Sequence, residues 1–519
     1  MIFMKQICFI LVALGLLSMT SCRDDFETEP NFGSLEFSKD TVYLDTVFTD
    51  IGSSTYSFKV YNRGSQDINI PNIQLNQGES SNFRLNVDGV AGKSISNINV
   101  LAKDSIFVFV EVTADIQDLS QNEVSFLYSD QINFDSGVNL QQVELVTLVQ
   151  DAIFLFPERF EDGSSETLTL GINEEGETIQ IDGFILDAEH LTFTNEKPYV
   201  IYGFAGVPSG ETLAIEPGAR IHFHTNSGII AANNASVQAV GGLSSDPELL
   251  ENEIIFEGDR LEPGFSNIPG QWASIWLTEG STNHNFEHVT IKNSTVGILM
   301  DSNDGSAQPT LTIKNTQIYN SANVGLLART GFIDAENLVI NNSGQASLNL
   351  SLGGRYNFRH STFANYWQNS FRQFPSVLIE NNLQSGETLF ISDLIEANFS
   401  NCIIYGNESI ELLFNRVEDA AFNYNFKNCL IRFNDFNNQF SENELYDFDN
   451  TSLFENVLLN ESPQFLDAQN SQLIIGEESA ANNQGEQNTA NQVPFDILGV
   501  NRAQNPDLGA YQSIQFEEQ

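Results

Sequence analysis

Apolar and polar positions alternate along the first part of the chain. In SIFVFVEV (105–112), Ile106, Val108, Val110 and Val112 fall on one side and Phe107 and Phe109 on the other. YSFKVYNRGS (56–65), INIPNIQL (68–75) and FRLNV (83–87) are similar short runs bounded by turn residues. Period-two alternation marks strands, and about seven such runs between Phe32 and Val149 predict a β-sandwich. No catalytic constellation falls in it, so a spacer or adhesion role is expected there.

Beyond about residue 190 the pattern becomes a repeat. HVTIKN, NTQIYN, NLVINN, HSTFAN, NCIIYG and NCLIRF align on Ile291, Ile318, Ile340, Phe363, Ile404 and Ile431, spaced by 27, 22, 23, 41 and 27 residues. Three positions earlier stand His288, Asn315, Asn337, His360, Asn401 and Asn428; two positions later stand Asn293, Asn320, Asn342, Asn365, Gly406 and Phe433. Five positions earlier the column is Phe286, Ile313, Ala335, Phe358, Phe399 and Phe426. Coils stacked ~4.8 Å apart bring like residues into contact, so apolar columns fill an interior and asparagines ladder through a turn. The predicted fold is all-β: an N-terminal β-sandwich followed by a right-handed parallel β-helix, one coil per repeat.

The remaining columns refine this picture. Glu287, Lys314, Glu336, Arg359, Ser400 and Lys427 form an outward column whose first four members alternate in sign, which predicts a cross-strand charge ladder. Cys402 and Cys429 share an inward column with Val289, Thr316, Leu338 and Ser361. Strand spacing brings their Cα atoms within reach of a disulfide but holds the Cβ atoms farther apart than a bridge prefers, so two packed thiols are expected.

The ends carry resemblances. MIFMKQICFILVALGLLSMTSC opens with Lys5 and an apolar run to Leu17, too short to span a membrane and typical of a signal peptide. Met19-Thr20-Ser21-Cys22 resembles a lipobox, which implies lipidation of Cys22; the following RDDFETEP resembles the acidic tag of surface lipoproteins of Gram-negative bacteria, or is a solvated linker. The sandwich resembles immunoglobulin-like domains of the abnormal-spindle and hydin type. KPYVIYG, ETLAIEPGARIHFHTNSGII (211–230), IIFEGDR and PGQWASIWL, with the asparagine columns, resemble right-handed parallel β-helix lipoproteins of bacterial surfaces. PFDILGVNRAQNPDLGAYQ (494–512) is similar to the D-x-x-G-x-x-R…D-x-G-A-Y closing coil of many β-helix proteins. The expected organisation is a signal peptide (1–21), lipidated Cys22 with its tether (22–31), the sandwich (32–151), a connecting segment and cap (152–195), the β-helix (196–513) and a tail (514–519).

Composition narrows the partners. A formal net charge of −47 with only 22 Lys plus Arg argues against nucleic acid and, less strongly, against a polyanionic glycan. The family resemblance also offers enzyme signatures to check. The sole adjacent Asp pair, Asp24-Asp25, lies in the tether; no His is followed by Gly, and neither an Asp-His nor an Arg-x-Pro-x-x-Arg segment occurs. Polygalacturonase-like and pectate-lyase-like machinery is therefore not expected, and 69 acidic residues hide any glycosidase carboxylate pair.

The remaining candidates for a ligand site are Arg355, Tyr356, Tyr366, Trp367 and Arg372, in a segment rich in Arg and aromatics, and Trp272 and Trp276, whose alternation with Ala273, Ile275 and Leu277 points both indoles outward. Those indoles either stack on sugars or lie under the insertion LEPGFSNIPG (261–270). Asp301, Asn303 and Asp304 are a candidate Ca²⁺ set without the full loop spacing, read more simply as a turn; His222 and His224 lack a third metal ligand. The expectation is a monomeric, lipid-anchored outer-membrane surface protein that binds or adheres to extracellular or surface polysaccharide, with a polysaccharide lyase or glycoside hydrolase as the alternative.

Overall fold

The computed structural model describes residues 28–516 apart from 121–122, 173–175, 247–248 and 302–304. Cys22, Asn303 and Asp304 thus lie outside the described residues. Two compact units are present, Met1–Asp151 and Ala152–Gln519.

The first unit is a β-sandwich. Its six-stranded sheet is built on Ile68–Leu75, Ser125–Phe134, Gln141–Gln150 and Thr41–Phe48, and its five-stranded sheet on Tyr56–Tyr61, Ser105–Val112 and Phe83–Val87. Both sheets turn their alternate apolar residues inward: Val108, Val110 and Val112 are fully buried beside Phe58, Phe83 and Phe134, while Phe107 and Phe109 are exposed. The arrangement is compatible with an immunoglobulin-like sandwich.

The second unit is a parallel β-helix. Three long sheets run side by side through it: sheet 1, of eleven strands from Ile153–Leu155 to Leu458–Leu459; sheet 2, of ten, from Thr167–Ile172 to Leu412–Asn415; and sheet 3, of ten, from Thr192–Phe193 to Phe454–Glu455. The chain visits them in the order 1, 2, 3 and returns to sheet 1 one strand further along. Hence Ile291 pairs with Ile318, Ile318 with Ile340, Ile340 with Phe363, Phe363 with Ile404, and Ile404 with Ile431, the aligned register of the repeat. Inside, Phe358, Phe399, Phe426 and Phe454 stack with ring centroids 5.0, 4.7 and 5.5 Å apart. Outside, Glu287, Lys314, Glu336, Arg359, Ser400 and Lys427 are register partners in sequence, with Lys314 3.0 Å from Glu336 and Arg359 also paired with Asp334.

Asparagine recurs for a backbone reason beyond laddering. His288, Asn315, Asn337, His360, Asn401 and Asn428, the single residues that turn the chain from sheet 3 to sheet 1, all have φ between 46° and 57°. That left-handed region is costly for most L-residues and is tolerated best by Gly, Asn, Asp and His. Asn293, just past Val289–Lys292, and Asn320 and Asn342, next to last in Gln317–Ser321 and Val339–Ser343, take the same conformation where the chain leaves sheet 1, with φ of 65°, 56° and 55°. The ladder bonds are also made: Asn337 donates to Asn315 at 2.7 Å, and Asn401 to His360 at 2.9 Å. At Gly406 the column changes because a Cβ there would lie 2.1 Å from a Glu411 carboxylate oxygen. Cys402 and Cys429 are free and buried, each thiol directed at main-chain carbonyls.

The C-terminal motif departs from the expected closing coil. Residues 494–512 add no strand to any of the three sheets; with Phe465–Asp467 and Gln472–Ile475 they lie across the outer face of sheet 1. Leu473, Ile497, Ala510 and Tyr511 pack on Val339 and Ala364, and Ile475, Ala481 and Leu508 on Ile403 and Leu430. Each motif residue has a task in this strap. Asp496 accepts from the amides of Leu498, Val500 and Gln512, closing a turn through Gly499 at φ 80°. Arg502, fully buried, donates to Asn337 Oδ1 and Phe495 O at 2.8 Å and to Gly509 O at 3.1 Å. Asp507 accepts from Asn483 and Ser513 amides, and Ala510 N donates to Thr362 Oγ1.

Candidate functional site

A cleft of about 790 Å³ opens where the strap leaves the outer face of sheet 1 uncovered. Its walls include Leu243–Ser245 with Leu250 and Glu253, and Leu466, residues 469–474, Leu498 and Tyr511. Thr290, Lys292, Gln317 and Tyr319 contribute from sheet 1, because positions one before and one after the inward anchors Ile291 and Ile318 must face outward. Asn267, Asn320, Asn342 and the segment 366–369 complete the lining.

A directed line of hydrogen bonds crosses these side chains. The hydroxyls of Tyr319 and Tyr511 both donate to Gln317 Oε1, the latter at 3.1 Å. Gln317 Nε2 donates to Thr290 Oγ1 at 3.5 Å, and Thr290 Oγ1 to Glu253 Oε2 at 3.0 Å. Burial pushes both tyrosines up from their ordinary values, so they remain neutral donors. Burial also raises the Glu253 carboxyl above the usual glutamate value, outweighing the Thr290 hydrogen bond that favours its charged form. Lys292 is held by Glu257, Nζ to Oε2 at 2.7 Å. Beside it, His222 is buried near Gly258 O and is pushed down by desolvation, which keeps it neutral.

The residues singled out by sequence separate on the fold. Tyr366 and Trp367 line the cleft, the indole N–H of Trp367 donating to Ser370 Oγ at 2.9 Å. Arg372 does not reach it as a ligand group. Its side chain is almost fully buried, forked onto Glu411 at 2.6 and 2.9 Å, and it also donates to Asn365 O, Phe374 O and Asn407 Oδ1. Tyr356 faces the interior of the helix, donating to Gly353 O at 2.7 Å and accepting from Gly331 N. Arg355 lies on the outer face of sheet 3, over the Phe332 ring and 3.3 Å from Glu396.

The tryptophans also part company. Trp272 is buried, stacked on Phe223 at 4.4 Å with its N–H on Lys292 O, correcting its expected outward direction. The strand is only Ile275–Leu277, so the alternation does not extend back to residue 272. Trp276 does face out on sheet 2, where it donates to Asp301 Oδ2 at 2.6 Å and lines a second groove of about 540 Å³ with Leu168, Ile185 and Ile230. Asp301 is engaged there by Trp276 and Arg329. Among the described residues no group of three or more His, Cys, Asp or Glu could hold a metal, and His224 is paired with Asp259 at 2.7 Å.

Sequence reasoning missed Glu253, Lys292, Gln317, Tyr319 and Tyr511. Lys292, Gln317 and Tyr319 lie next to the anchors, so the outward positions of the same alignment carried the signal; Glu253 precedes Ile254–Gly258, outside the six aligned segments, and Tyr511 could not be placed while the last segment was read as a coil.

No protein-family model and no curated protein matches the chain. Among solved structures, an ASH/PapD-like domain of human CEP192 is similar at 11% identity and a TM-score of 0.16, over 24% of this chain and 89% of that one. A family 123 glycoside hydrolase from Clostridium perfringens, described for glycolipid glycan hydrolysis, is similar at 9% identity and a TM-score of 0.16, over 24% of this chain and 30% of that one.

Proposed function

We propose that this is a lipid-anchored cell-surface protein of the outer membrane that binds glycan chains in the cleft on sheet 1. The observation that carries the reading is the lining: tyrosine and tryptophan rings beside amides from Asn267, Gln317, Asn320 and Asn342 and neighbouring exposed Gln368 and Asn369. Apolar ring faces with a few placed donors and acceptors match the two surfaces of a sugar. Among the described lining residues Glu253 is the sole acid, whereas hydrolysis by the common mechanisms requires two carboxylates across the scissile bond. Binding is therefore preferred to catalysis. The raised Glu253 carboxyl is the feature that keeps a lyase or hydrolase as the second reading.

Retention on immobilised glycans, combined with a reducing-end and 235 nm unsaturation assay, tests both readings. Gln368→Ala with Asn369→Ala, two exposed side chains, is expected to weaken retention roughly tenfold with melting unchanged. Unchanged retention, or none on any glycan by the native protein, rejects the cleft as the site; new chain ends favour the enzyme. Anchoring rests on Met19-Thr20-Ser21-Cys22. Cys22→Ala is expected to move the protein from membranes to soluble fractions, and unchanged membrane partition rejects lipidation.

A further inference from the structure

Lys292 is the sole basic side chain among the described residues lining the cleft, and its charge is already matched by Glu257. Glu257 holds both ends of this arrangement. One carboxylate oxygen meets Lys292 Nζ at 2.7 Å and the other faces His222 Nδ1 at 3.7 Å, on a side chain only 21% exposed. Arg220, which also acts on the Glu257 charge, is spent on main-chain carbonyls: Glu253 O at 2.6 Å, Leu250 O at 2.7 Å and Gly218 O at 3.1 Å. Arg372 is spent on Glu411.

Resting on the glycan reading, we infer that the cleft selects uncharged oligosaccharides, and that Glu257 is the specificity-determining residue that withholds Lys292 from sugar carboxylates. A uronate or sulfate entering the cleft meets no unmatched cation among the described lining residues, leaves water without compensation, and faces Glu253. A neutral sugar incurs neither cost, and its hydroxyls pair with the amides and tyrosines. Removing the charge of Glu257 leaves the Lys292 ammonium unmatched at the cleft surface, where a carboxylated sugar can take the place of the lost partner.

The test compares retention of hexaoses of glucose, mannose, galactose and xylose with that of hexagalacturonate, at low and moderate salt. The native protein is expected to retain at least one neutral hexaose and to retain hexagalacturonate more than tenfold less. Glu257→Gln is expected to raise hexagalacturonate retention roughly three- to tenfold at low salt, the gain fading as salt screens it. Adding Lys292→Gln should abolish the gain. Glu455→Gln, which removes the same charge from a lysine-paired glutamate on sheet 3, should alter neither ligand. If Glu455→Gln gives the same gain, the effect is bulk charge and the assignment to Glu257 is overturned. If the native protein retains hexagalacturonate as tightly as its best neutral ligand, the inference fails while the glycan reading stands, a result that needs no variant to fold. If the native protein retains none of the five and no other immobilised glycan, the glycan reading and the inference fall together.

Discussion

Replacing Arg372 with Met is expected to destabilise the β-helix by about 3–5 kcal/mol, the largest effect of any single substitution considered. The guanidinium supplies three of its five bonds to partners that are themselves enclosed, two to Glu411 and one to Asn365 O, and its loss leaves the Glu411 carboxylate buried with the Ser376 and Glu408 amides as remaining donors. A buried charge without its counter-ion is among the few causes of losses this large. Arg372→Met with Glu411→Leu removes both charges and should recover most of the loss, because the pair itself contributes little beyond cancelling its own desolvation. The pH dependence has a defined sign. Burial already raises the Glu411 carboxyl, and loss of Arg372, which lowers it, raises it further. A raised folded-state value gives stability that is present below the unfolded glutamate value and lost as pH rises through the folded one, so the penalty of Arg372→Met should shrink as the solution is acidified. Denaturant melts of the native, single and double variants at neutral and acidic pH check this. Equal single and double losses would show that shape, not charge, governs the site. Retention on glycans should fall in the single variant as well, since the segment anchored by Arg372 carries Trp367 and Gln368.

The second large effect concerns Arg502. Replacing it with Met leaves Asn337 Oδ1 and Gly509 O short of a donor in a buried setting and Phe495 O in a half-buried one, at roughly 2–4 kcal/mol. Burial lowers this guanidinium to about 10 against the opposing pull of Asp496, Asp507 and Glu336. The expected result is local: the strap should loosen from sheet 1 before the coils melt, seen as proteolytic cleavage within 476–512 and as early hydrogen exchange at Ala510. Loss of Tyr511 from Gln317 would then weaken glycan retention. A single melting transition with an undisturbed strap would show that Arg502 serves the coils instead.

The coils were legible because stacking repeats the same environment every turn. The apolar anchors, the asparagine turns and the Glu287-to-Lys427 ladder could each be found by writing six segments one above another. What that alignment omitted was still within its reach. Carried two residues further back, it sets Leu311, Ile333, Tyr356 and Ala397 in one column, and register pairing places all four inside. Tyr356 would then have been read as core. Arg372 and the cleft were not legible, for a different reason. Arg372 meets Glu411 across 39 residues that include the hairpin of Asn382–Ser385 and Thr388–Ile391, and Tyr511 meets Gln317 across 194. No period relates those positions, so only the folded path of the chain brings them together.

The cleft lies across successive strands of sheet 1 and therefore has a length set by the coil count. Its lining reaches from Glu253, just ahead of Ile254–Gly258, through Val289–Lys292, Gln317–Ser321 and Val339–Ser343 to Tyr366, just past Thr362–Asn365. Five strands at ~4.8 Å spacing make a gauge on the order of 20 Å, long enough to be spanned by a chain of sugars and not by a single ring. Insertion or deletion of one coil between Lys292 and Asn342 shifts that gauge by one strand spacing and leaves every turn and core column intact. In a solenoid of this kind, the preferred length of a bound chain can change in fixed increments by duplicating the unit that builds the fold.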